Sequence, residues 1–164
     1  MNSSSETTPS GKFANHTGNK LERFVEDALK GCGYTEFWDH KKQAFDNRKA
    51  IGGKQYMQQL PVGTTIYETE RRADFFVVNK DKFHDDLIIE CKWQQSAGSV
   101  DEKYPFLLFN IIKTGIPTVI LLDGDGYKPS AKKWLQDQMD LKRALMHVWN
   151  MTEFHKAVNN GFLG

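Results

Sequence analysis

The chain has 164 residues, enough for one compact domain with its own core and few for two. Hydrophobic residues make up 39% and charged residues 26%, with 11 Phe and 4 Trp, which excludes a disordered or fibrous chain. A net charge of +1 does not by itself announce a nucleic-acid binder, and two cysteines, Cys32 and Cys91, exclude a disulfide framework and point to a reducing, cytoplasmic compartment.

Residues 1–17 are rich in Ser, Thr and Asn and have no apolar core, so they read as a flexible arm rather than a signal peptide, ahead of a single domain over 18–164. No run of about 18 apolar residues suggests a membrane span. Leu21, Phe24, Val25, Ala28 and Leu29 follow the apolar spacing of a helix over Asn19 to Lys30, which Gly31 and Gly33 stop. Glu22 falls at the edge of that stripe, and Glu26 points further towards solvent.

From Phe37 to Glu70, Gly52-Gly53 and Pro61-Val62-Gly63 suggest short strands and turns. Within it, Lys41, Lys42, Arg48, Lys49 and Lys54 face one acid, Asp46, a local excess of +4 suited to phosphates. Two strands follow, Arg72 to Val78 and Leu87 to Trp93, joined by the polar stretch Asn79 to Asp86 as an antiparallel hairpin. Ser99-Val100-Asp101-Glu102 is a capping-box pattern ahead of a helix with Tyr104, Leu107, Leu108 and Ile111, and Pro105 either starts that helix or kinks its first turn. Pro117 to Leu122 reads as a buried strand ending in Asp123-Gly124-Asp125-Gly126. Ser130 then caps a helix carrying Trp134, Leu135 and Leu141, followed by a strand at Met146 to Trp149 and a helix over Thr152 to Asn159. The order predicts a mixed α/β sandwich whose later strands arrive through helical crossovers.

Alternate strand residues share a face, so Glu90, Lys92 and Gln94 project together, away from Ile89, Cys91 and Trp93. The apolar lead-in Leu87-Ile88-Ile89 implies burial, which makes the charges that follow costly without partners. If the hairpin is symmetric about position 82, Asp74 lies across from Glu90 and Arg72 from Lys92. Two carboxylates at that spacing repel unless a cation sits between them, and oxygen ligands suit Mg²⁺. Lys92 is then placed to orient or deprotonate an attacking water, Gln94 to position the phosphate or the water, and Glu22 to lean over the sheet as a third acid. Glu-x-Lys on a strand is by itself explained as cheaply by a cross-face ion pair; the facing acid, the apolar lead-in and Glu22 favour phosphodiester chemistry.

Asp74 with Glu90-Cys91-Lys92 resembles the PD-(D/E)xK nuclease superfamily, of restriction-endonuclease-like fold, from Gly18 onward, with Ala73 where the motif has Pro. The resemblance implies a mixed β-sheet flanked by helices, with the active site on the antiparallel hairpin. It also implies metal binding by Asp74, Glu90 and the Cys91 carbonyl, Lys92 in catalysis and a helical glutamate matched by Glu22. Mg²⁺ is the expected cofactor, with Mn²⁺ able to substitute, and DNA the expected partner, met by Lys41, Lys42, Arg48, Lys49, Lys54 and Arg72. The segment IIECKWQQSAGSVDEKYPF and the later PTVILLDGDGY are most similar to small type II restriction enzymes. A homodimer follows from size, since one domain carries one centre and cutting both strands needs two. A junction resolvase, a nicking or repair nuclease and a non-catalytic DNA-binding module are the rival expectations. The DGDG turn lacks a calcium loop's terminal Glu, and neither cysteine has a base beside it, so neither is expected to carry chemistry.

Overall fold

The computed structural model describes residues 10–39, 44–45, 53–95 and 101–164. Helix α1 (Ser10–Gly31) presents the expected stripe: Leu21, Val25 and Leu29 are fully buried, with Phe24 and Ala28 packed beside them. It begins at Ser10 rather than Asn19: the added stretch holds no Pro, and Gly11 and Gly18 lower helical propensity without breaking the helix.

Two-residue strands β1 (Thr35–Glu36), β2 (Trp38–Asp39) and β3 (Ala44–Phe45) lead to the long strands β4 (Gln55–Thr64), β5 (Glu70–Asn79) and β6 (Phe83–Trp93). Helix α2 (Tyr104–Thr114), strand β7 (Thr118–Asp123), helix α3 (Pro129–Asp137), strand β8 (Leu145–Trp149) and helix α4 (Met151–Asn159) complete the chain. One six-stranded sheet runs in the order β1-β4-β5-β6-β7-β8, and β2 and β3 form a separate pair. The β4-β5-β6 portion is antiparallel, and β7 and β8 join it in parallel through the α2 and α3 crossovers.

One face of the sheet carries a core of Phe75, Val77, Leu87, Ile89, Val119 and Leu121 under α1 and α4, and the other packs Ile120, Leu122 and Val148 against α2 and α3. The sheet is thus covered on both sides, which is why Leu87, Ile88, Ile89 and the apolar residues of β7 are all fully buried.

Several sequence expectations are corrected. The reading of short strands and turns before Glu70 misses the ten-residue β4, where Pro61 and Gly63 argued against a strand. Strand β1 pairs only with Gln55 and Tyr56, so Pro61 lies in the part of β4 whose one described neighbour is β5, the edge setting in which a strand proline is tolerated. The stretch Asn79 to Asp86 is mostly strand, with a tight turn and a bulge at Asp86, whose φ is +64°. Lys128, not Ser130, precedes α3, with Pro129 in its first turn, and Leu141 lies in a separate 3-10 turn. Pro105 sits in the first turn of α2, behind a 3-10 turn over Asp101–Lys103, while Ser99 and Val100 lie outside the described residues.

At the end of β6, Gln94 works as a clamp. Its backbone N–H donates to Asp123 O (2.9 Å), and its carbonyl accepts from the Gly126 N–H (2.9 Å). Its side chain donates to Gly126 O (3.0 Å) and accepts from the Tyr104 hydroxyl (2.7 Å). Gly124, at φ +100°, passes so close that a Cβ there would clash with the Gln94 carbonyl. Gly124→Ala is expected to destabilise the fold by about 2–4 kcal/mol through strain and overpacking; an unchanged urea-unfolding midpoint would count against the clamp.

Candidate active site

The ladder between β5 and β6 pairs Phe75 with Ile89, Phe76 with Ile88 and Val77 with Leu87, the register of a hairpin symmetric about position 82. Asp74 and Glu90 are the next residues along, where the recorded pairing has ended. Here the Cys91 N–H donates to the Asp74 carboxylate at Oδ2 (2.8 Å). The other oxygen, Oδ1, accepts from the Gln59 side chain (3.2 Å), whose residue is held at φ +53° in β4. Asp74 is therefore fixed from both neighbouring strands.

Glu90 is fixed from the other side. Its side chain is 5% exposed, and Oε1 pairs with the equally buried Arg71 guanidinium at 2.9 Å. Arg71 also donates to the Asn110 carbonyl (3.4 Å) and to the Thr114 hydroxyl, both on α2. Glu90 is thus tied through Arg71 to the crossover helix that follows its own strand. The sequence reading missed Arg71, yet a signal was present. Alternation along β5 buries Ala73, Phe75 and Val77, so Arg71 falls on the buried register, where a charge needs a partner.

Lys92 closes the group. Its Nζ lies 2.9 Å from Glu90 Oε2 and 3.1 Å from Asp74 Oδ2, with about a third of the side chain exposed. Burial pulls the ammonium down, but Glu90 and Asp74 outweigh it and hold its pKa above the usual lysine range. Glu22 approaches from α1: burial and the Asp74 charge raise its pKa, partly offset by Lys92. Asp74, Glu90, Lys92 and Glu22 thus form one electrostatic unit, three carboxylates against the cations Lys92 and Arg71. Burial also drives the Cys91 thiol well above its usual range, further raised by Asp74, which disfavours the thiolate.

Among the described residues, no group of three His, Cys, Asp or Glu side chains could hold a metal ion. The donor set is the pair Asp74 and Glu90, two hard oxygen ligands converging on one ammonium. That pair fits Mg²⁺, which binds through one or two carboxylates and leaves its other positions to water and phosphate oxygens.

The remaining sequence candidates lie elsewhere. Both ends of the Gln94 amide are taken by Gly126 and Tyr104, which places it in the clamp rather than at the carboxylates. Arg72 is exposed, paired with Glu70 at 2.6 Å and donating to Gln59 O, on the rim of the cleft that opens over Glu90 and Lys92. Lys54 donates to the Cys32 carbonyl (2.9 Å) and the Gly164 carbonyl, and lines a different hollow with Lys80 and Lys82. Lys41, Lys42, Arg48 and Lys49 lie outside the described residues. Glu26, expected to face solvent, accepts from the Tyr56 hydroxyl (2.8 Å) and pairs with Lys30 (2.8 Å).

A family model described as a PD-(D/E)XK nuclease superfamily domain matches residues 13–162. No curated protein and no solved structure matches the chain.

Proposed function

Because the chain belongs to the PD-(D/E)XK nuclease superfamily, we propose that it is a Mg²⁺-dependent DNA endonuclease, cutting phosphodiester bonds at the Asp74, Glu90 and Lys92 centre. The observation that carries this reading is the convergence of the Asp74 and Glu90 carboxylates on the Lys92 ammonium within 3.1 Å. Arg71 and Glu22 surround that point with further charge.

Asp74 and Glu90 would hold the ion, with the Cys91 carbonyl as a third oxygen. Bound there, Mg²⁺ supplies Lewis-acid polarisation of the phosphate. The chain's own residues do the rest. Asp74 keeps its orientation through the Cys91 N–H and the Gln59 amide, and Glu90 through Arg71, so neither must reorganise when charge develops. Lys92 orients the attacking water and offsets charge growing on the phosphoryl oxygens. Glu22, on α1, adds a third carboxylate charge beside Asp74 and Lys92.

The narrower reading is a type II restriction-like enzyme acting as a homodimer in the cytoplasm. It is supported by one centre per chain and by two unpaired thiols, Cys32 and Cys91. Among the described residues no helix is long and apolar enough to cross a membrane. The test is supercoiled plasmid incubated with the protein and either Mg²⁺ or a chelator. Nicked or linear product only with the metal is expected, and intact plasmid across diverse substrates with Mg²⁺ and Mn²⁺ would refute the enzyme reading.

A further inference from the structure

The turn between β4 and β5 is built more firmly than a connection requires. Thr65 N–H donates to Thr69 O (2.8 Å), and the Thr65 and Thr69 hydroxyls bond each other (2.7 Å). Helix α2 fastens the turn from below: the Asn110 side chain accepts from the Ile66 N–H (2.8 Å), and Lys113 donates to Thr65 O (2.8 Å) and to the Glu68 carboxylate. What this scaffold presents is Tyr67, 73% exposed, its ring stacked on Phe106 at 5.2 Å between centroids and 23° between planes.

Phe106 is also a wall of the cleft of about 330 Å³ in which Glu90 and Lys92 open, with Arg72 and Lys103 on the same lining. Tyr67 buries little of its ring, which lies against Phe106 beside a cleft whose lining sets Arg71, Arg72, Lys92 and Lys103 against Glu70 and Glu90. This arrangement suits an occupant that is both anionic and flat, which describes a nucleotide. A second copy of the chain seated on Tyr67 and Phe106 would cover the cleft mouth, so the substrate strand is the occupant that the geometry favours.

We propose that Tyr67, backed by Phe106, is a stacking platform for an unpaired base of the strand being cut, so that the enzyme prefers single strands, flaps or branch points over continuous duplex. The proposal rests on the nuclease reading for the placement of the scissile phosphate at Glu90 and Lys92, and it sets a branch- or flap-directed nuclease in place of the type II restriction-like enzyme, which would act on continuous duplex. Bases paired inside a duplex have no free face to offer the ring; an unstacked base does. Arg72 and Lys103 would then meet the flanking phosphates.

The test is a fluorescence titration of oligonucleotides carrying 2-aminopurine, as a single strand and in a fully paired duplex, with the full chain in Ca²⁺ to hold cleavage back. The wild type should quench the single-stranded probe, and Tyr67→Phe should bind alike. Tyr67→Ala should weaken single-strand binding by roughly 5- to 150-fold while changing duplex binding by less than about twofold. Because Tyr67 is largely exposed, its removal forfeits only the stack on Phe106 and should lower the melting temperature by no more than a few degrees. Equal losses on both probes, no loss on either, or no binding by the wild type would each overturn the proposal, and so would conversion of a dimer to a monomer by Tyr67→Ala in sedimentation. Tyr67-dependent quenching by a protein that cuts no plasmid in Mg²⁺ would leave the platform standing and sink the nuclease reading instead.

Discussion

Lys92→Ala should lower phosphodiester cleavage by about 10²- to 10³-fold, the typical effect of removing one preorganised donor from a developing charge. The same change should tighten divalent-cation binding. In the wild type the ammonium sits 2.9 and 3.1 Å from the two carboxylates that would hold the metal, and so competes with it. Without Lys92 the Asp74, Glu90 and Glu22 charges face one another with only Arg71 to offset them, and a divalent ion relieves the repulsion. A purely structural lysine would give the opposite pattern, lost stability with metal affinity unchanged or weaker. The two readouts are single-turnover cleavage at saturating Mg²⁺ and calorimetric titration with Mg²⁺. Wild-type cleavage by Lys92→Ala, or loss of metal binding in it, would contradict the assigned role.

Arg71→Met should be the most destabilising single change at the site. It leaves the Glu90 carboxylate, 5% exposed, without its cationic partner at Oε1 and empties the contact with Asn110 and Thr114. Breaking a buried ion pair from one side costs about 3–5 kcal/mol, a fall in Tm of roughly 10 °C for a domain of this size. The double change Arg71→Met with Glu90→Gln removes the orphaned charge and should regain part of the loss, which separates the pair's energy from that of packing. Thermal unfolding of the two variants against the wild type checks this; equal Tm values for all three would show that Arg71 does not hold Glu90.

The site was legible where strand periodicity acts alone. Leu87-Ile88-Ile89 announces a buried strand and a period of two puts Glu90 and Lys92 on one face, whereas the register symmetric about position 82 is an assumption in the sequence that the ladder from Phe75–Ile89 to Val77–Leu87 bears out. Arg71 lies one residue before the strand-forming run that begins at Arg72, although the buried positions 73, 75 and 77 extend the phase to 71. Gln94 was placed at the site by the same periodicity that placed Lys92. Strand β6 ends at Trp93, so the alternation no longer applies to Gln94, and its amide turns to Tyr104 and Gly126.

In the fold, the parallel half was clear from sequence and the antiparallel edge was not. Strand β7 is continuously apolar from Val119 to Leu122, the pattern of a strand buried on both faces, and α1 repeats its apolar residues at helical spacing. Strand β4 contains Pro61 and Gly63, which local propensity reads as turn residues; its pairing with β5 overrides that preference, and the bulge between Pro61 and Thr64 absorbs the misfit. The firmness of the Thr65–Thr69 turn depends on Asn110 and Lys113, more than forty residues away, and no local pattern carries it.

The measurement that bears most directly on the centre is cleavage of supercoiled plasmid over a Mg²⁺ titration by the wild type and by Asp74→Asn. The amide oxygen of Asn can still accept from the Cys91 N–H, so the hairpin keeps its geometry while the site loses a metal-binding charge. Saturable, Mg²⁺-dependent cleavage by the wild type, reduced by at least about 10²-fold in Asp74→Asn, is the expected result; equal cleavage by the two proteins would contradict an Asp74, Glu90 and Lys92 centre.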